Sequence, residues 1–231
     1  MEKYLLALIL TTSFNPFFAQ VSVDCASNGT NFDNWTLFES SNNPEIDRAT
    51  NEELGFLTKS FLVSPAFYYF DDSSGMNAFS TSENLNNSQS KFGTICFGIN
   101  LIYEQISLSQ GGTNVPIILA HEFAHTVARV YSLNLPTKQN ELFADYLAGG
   151  YMYYRNRNFK RTDLQAAFQS FYNMGDNDFT NPSHHGTPLS RSICIQQGYE
   201  DCERAYQQGH SFTLDEGVRL AVEYVTTHDL P

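Results

Sequence analysis

Residues 119 to 128, LAHEFAHTVA, place two histidines and a glutamate in a run that is otherwise almost wholly apolar. The flanking residues Ile117, Ile118, Leu119, Ala120, Phe123, Ala124, Val127 and Ala128 leave this segment without a polar face. A helix apolar all round belongs in a core. An unpaired carboxylate there costs several kcal/mol unless something compensates for it. The segment therefore predicts a central buried helix, begun by Asn114 as a cap with Pro116 in its first turn and running to about Tyr131. It also demands a counter-charge for Glu122.

Side chains four apart on a helix lie one above the other. His121 and His125 thus point together, with Glu122 beside them. This HExxH spacing brings two imidazoles to one cation and lets a carboxylate reach a water held there. The bland alternative is a core helix whose histidines bond to carbonyls while Glu122 reaches the edge of a cavity.

A second helix, expected from about Lys138 to Arg155, repeats the puzzle in NELFADYLAGGYMYY. Glu141 and Asp145 are four apart, two like charges on one face of another apolar helix. The short link SLNLPTKQN makes the two helices antiparallel neighbours. A divalent ion with its imidazoles would supply the missing positive charge. Glu141 then suits the third ligand, and Asp145 the place behind a ligating histidine. The reverse, with Asp145 ligating, fits the spacing too. Imidazole and carboxylate ligands with one open position suit Zn²⁺.

Elsewhere the pattern is helix, strands, then helices, an α+β order without βαβ alternation. Asn43-Pro44 opens a helix reaching about Val63. Segments 65–72, 76–81 and 92–103 read as strands, separated by a polar loop at 82–91. Residues 162–173 form an amphipathic helix, and Thr213 with Glu216 caps a last one over 213–227.

The first twenty residues, MEKYLLALILTTSFNPFFAQ, have the layout of a secretory signal peptide, with residues 21–231 as a single mature domain. That implies a secreted or periplasmic protein with no stable membrane insertion after cleavage. For an exported chain, Cys25, Cys96, Cys194 and Cys202 suggest disulfides. On a continuous helix Cys194 and Cys202 would stand about 12 Å apart. A helix broken at Gly198 would let them pair, leaving 25–96, with free buried thiols as the alternative. The net charge of −12 excludes nucleic acid as a natural partner. Nothing in the pattern sets an oligomeric state.

HEFAH followed by ELFAD resembles the gluzincin zinc metallopeptidases, and within them the branch of the CaaX prenyl proteases and the heat-shock membrane metalloprotease. MNAFST stands where that family has an Asn-Ala-aromatic strand, and HGTPLSR, His185 to Arg191, where it has a His-Gly segment followed by an arginine. The chain differs in carrying Ala124 where the family often has Gly. The resemblance spans about residues 75 to 192. It implies a zincin-like fold, a small mixed sheet packed on the metal helix, with His121, His125 and Glu141 as ligands. It also implies a metallopeptidase in which Glu122 is the general base for a zinc-bound water and His185 the oxyanion donor, with His184 next in line. Arg191 locks the carboxylates or the loop in place.

A peptide or protein substrate would lie extended along a strand edge at 77–80 or 94–98. The competing readings are a catalytically silent zincin-fold binding or scaffold protein, and a zinc amidase acting on cell-wall peptide. His210 and His228 read as surface residues.

Overall fold

The computed structural model describes residues 35–108, 112–155 and 186–231. The signal-peptide reading, Cys25, the helix expected over 162–173, His184 and His185 lie outside them. Among the described residues no helix is long and apolar enough to cross a membrane.

The architecture is mixed α+β. In chain order it runs β1 (Leu37–Phe38), α1 (Pro44–Phe61), β2 (Ala66–Phe70), β3 (Ala78–Thr81), β4 (Thr94–Gly98) and α2 (Ile99–Leu108). Four helices follow: α3 (Asn114–Val130), α4 (Thr137–Arg155), α5 (Pro188–Gln207) and α6 (Leu214–Thr227). Asn43 starts α1 as the sequence predicts, its side chain accepting from Glu45 N at 3.0 Å. The Thr213–Glu216 capping box of α6 is likewise present.

The strands form one sheet in the order β1-β2-β4-β3, with β2 and β4 parallel and both edge strands antiparallel to their neighbours. Alternation splits its side chains between two faces. Tyr69, Ala78, Ile95 and Phe97 join the main core under the helices. Tyr68, Phe70, Phe79 and Cys96 form a second cluster on the other face, where Trp35 stacks on Phe70 at 4.8 Å. With β4 between β2 and β3, both edges of 94–98 are already paired. Of the two segments expected to offer a free edge, only the one at β3 does so among the described residues.

Three further expectations are corrected. The strand expected to continue to Tyr103 turns helical at Ile99, because Asp72 at the end of β2 caps α2 from a distance. Its carboxylate accepts from Asn100 N at 2.7 Å and Leu101 N at 3.0 Å. Gly98 lets the two segments meet, since a Cβ there would overlap that carboxylate. Asn114 does not cap α3; its amide donates to Gln105 Oε1 at 3.0 Å and ties α3 to α2.

The third correction concerns Gly198, which does not break α5. A side chain there would overlap the Tyr146 carbonyl oxygen, and one at Gly149 the Ile195 carbonyl oxygen, so the glycines let α4 and α5 cross backbone against backbone. Cys194 and Cys202 consequently sit on one unbroken helix as buried free thiols, and no bond joins them. Cys96 is also a buried free thiol.

Candidate metal centre

The HExxH spacing does locally what helical geometry requires. His121 and His125 project from one face of α3 towards α4, their Nε2 atoms 3.0 Å apart and their rings edge to face. Glu141, in the second turn of α4, completes a triangle. Its Oε2 lies 3.4 Å from His121 Nε2 and its Oε1 3.4 Å from His125 Nε2. Asn140 meets His125 while Asp145, one turn later, meets His121, the order that antiparallel helices give.

These separations can be set against ion chemistry. Ligand atoms about 2.0–2.1 Å from a tetrahedral ion stand about 3.3 Å from one another. The separations here, two of them to different oxygens of Glu141, lie close to that value, and one ligand atom from each residue falls within 4.8 Å of the others, so the buried cluster His121, His125 and Glu141 could hold a metal ion. Glu122, Glu141, Asp145 and Arg191 are each 0 % exposed, so charge in this pocket has little help from solvent.

Behind the triangle the groups are ordered by hydrogen bonds. Asp145 Oδ1 lies 2.9 Å from His121 Nδ1, on the side of the ring away from Glu141. A carboxylate there keeps the proton on Nδ1 and frees the Nε2 lone pair. Arg191, from the first turn of α5, donates from Nε to Asp145 Oδ2 and from NH2 to Oδ1, both at 2.9 Å. The same NH2 stands 3.7 Å from Glu141 Oε2. The guanidinium thus braces Asp145 in a forked geometry that an ammonium could not reproduce, and brings its positive charge close to Glu141.

Electrostatics separate the roles further. Burial pushes Glu122 up to about 7. Burial takes His125 down to about 3, so its ring is neutral at ordinary pH. Burial also opposes the charged form of His121, but its bonds to Asp145 and Glu141 outweigh that and raise it to about 9. Asp145 runs the other way: burial raises it, and Arg191 together with His121 more than cancels the rise, leaving it below the usual carboxylate range. Among the described residues both Glu122 oxygens are buried without a hydrogen-bond partner, an exception to the rule that buried polar atoms are satisfied.

One contributor escaped the sequence reading. The Asn140 amide stands 3.3 Å from His125 Nδ1. A cation on Nε2 needs a proton on Nδ1, and the same amide turned over presents Oδ1 to accept it. No periodicity marks Asn140, because its role comes from the antiparallel pairing. Asn140→Leu is expected to weaken metal affinity by about 10–100-fold, read by competition with a chromogenic chelator. Unaltered affinity would remove Asn140 from the site.

The structure brings together His121, Glu122, His125, Glu141, Asp145 and Arg191. It leaves His210 and His228 exposed on the surface, as expected. Compared with protein-family models, curated proteins and solved structures, the chain matches none of them.

Proposed function

We propose that the chain is an exported zinc-dependent peptide hydrolase with a zincin-like domain of the gluzincin type. The observation that carries this reading is Glu122, a buried carboxyl with no hydrogen-bond partner among the described residues, one position along α3 from a member of the convergent cluster and within the electrostatic reach of His121 and Glu141. A purely structural site would be complete with His121, His125 and Glu141 and would have no use for it.

Zinc at this position would polarise a carbonyl and bring a water's pKa towards neutrality. His121, His125 and Glu141 would hold the ion, with Asp145 and Arg191 fixing two of them. Glu122, whose own pKa sits near 7, would take a proton from the water and later return it to the departing amine. His185 is the proposed oxyanion donor, on the strength of its place in HGTPLSR. An extended peptide would pair with β3, the sheet edge next to α3.

The test joins elemental analysis of the purified protein to cleavage of an unstructured protein such as casein, with and without chelator. One zinc per chain and chelator-sensitive cleavage are expected. Glu141→Ala should lose most of the metal, and full occupancy in that variant would remove Glu141 from the ligand set. The complete burial of Glu122 favours a second reading, a metal-stabilised scaffold without activity. That reading predicts bound zinc and no cleavage of either peptides or cell-wall fragments. Cleavage of the fragments alone would instead mark an amidase.

A further inference from the structure

A second stripe of α3 faces the sheet rather than α4. Glu122, Thr126 and Arg129 are spaced four and three apart and share one face of the helix. Thr126 Oγ1 lies 3.0 Å from Ser80 Oγ on β3. Arg129 NH2 donates to Ser80 Oγ at 2.6 Å, to Thr126 Oγ1 at 3.1 Å and to the Thr81 carbonyl at 3.3 Å, while NH1 donates to the Ser80 carbonyl at 3.4 Å. Two hydroxyls and one guanidinium therefore clamp the end of β3 to the last turns of α3.

The strand register shows which backbone groups this clamp takes. Gly98 N donates to Asn77 O at 2.9 Å, and Asn77 N to Asp72 Oδ2 at 3.4 Å, so Asn77 and, by alternation, Phe79 turn their carbonyls towards β4. Ala78 and Ser80 turn theirs to the free edge. Arg129 already holds the Ser80 carbonyl, which leaves Ala78 as the residue able to exchange both bonds with an added strand. Thr126 reaches Ser80, and Arg129, three residues on, reaches Thr81 as well as Ser80, a succession that runs helix and strand in the same sense. Four residues back along α3 is about 6 Å. Two residues back along β3 is about 7 Å. Glu122 thus falls level with Ala78.

We propose that Arg129 is a positioning residue: it fixes the β3 edge at this level against Glu122 and closes the edge at Ser80, so that an extended peptide pairs at Ala78 and not beyond it. The inference rests on the hydrolase reading above. Arg129 touches no reacting atom in it; it acts through β3.

The experiment compares wild type, Arg129→Met and Arg129→Lys, all zinc-loaded, on a long unstructured peptide and on a blocked dipeptide too short to pair with β3. Losing charge-assisted hydrogen bonds of this kind should lower kcat/KM on the long peptide by about tenfold or more. The loss should be smaller on the dipeptide, zinc content should stay at the wild-type level, and lysine should restore part of the rate. An equal loss on both substrates, or no loss on the long one, would overturn the proposal. Ser80→Ala and Thr126→Val remove the hydroxyls and keep the charge, and they decide the matter by the same comparison if Arg129→Met does not fold. Wild-type protein without any chelator-sensitive cleavage would be a different failure, that of the hydrolase reading itself.

Discussion

Glu122→Gln is expected to retain its zinc and lose peptide cleavage by about 10²–10⁴-fold, the usual share of a general base. The substitution is nearly isosteric, and the convergent ligand atoms belong to His121, His125 and Glu141. Metal content by elemental analysis and turnover on the same preparation provide the two readouts. Turnover unchanged beside full zinc would strip Glu122 of its role.

A pH signature accompanies the first prediction. In metal-free protein the Glu122 carboxyl is raised from 4.5 to about 7, burial being the largest cause. A group raised in the folded state binds its proton more tightly there than in the unfolded chain. Its favourable contribution is therefore complete below about 4.5 and is lost as pH rises through about 7. Glutamine has no charge to bury. With chelator present, the variant should gain stability relative to wild type between pH 5 and about 8, as followed by urea unfolding. A difference that stays constant across that range would contradict the assigned burial of a charge.

Arg191→Met is expected to destabilise the fold by about 3–5 kcal/mol at neutral pH, because it leaves Asp145 as a buried charge without its fork. The sign with pH is opposite to that for Glu122. Asp145 is held below its ordinary value, so the stability it carries is present above about 3.9 and is lost as pH falls through its lower, folded value. The deficit of Arg191→Met should shrink in acid. Adding Asp145→Asn should recover much of it at neutral pH, since an amide needs no counter-charge. A loss below about 1 kcal/mol would mean that water reaches Asp145 readily.

What the sequence revealed about this site follows from how local each signal is. His121, Glu122 and His125, and then Glu141 and Asp145, were legible because one helical turn relates them and because charge in an apolar run needs an explanation. The starts of α1 and α6 were legible for the same reason: Asn43 and Thr213 satisfy amides two or three residues away. The features that escaped depend on distant partners. Asp72 caps α2 across 28 residues, and nothing near Ile99 announces a helix. Gly198 looks like a helix breaker until Tyr146, on another helix, is seen to occupy the place of its side chain. Asn140 gains its meaning only when α4 lies against His125. Arg191 could be named from the resemblance, but its fork on Asp145 needed the crossing of α4 and α5.

That crossing has a mechanical side. With carbonyl oxygens filling the places of side chains at Gly149 and Gly198, the two helices have no rotamers at these two contacts to act as a bearing. Glu141 and Asp145 on one helix and Arg191 on the other are therefore expected to move together. Any breathing that admits a bulky guest must then come from the opposite wall, where β3 is held to α3 by hydroxyls and a guanidinium rather than by backbone in direct contact.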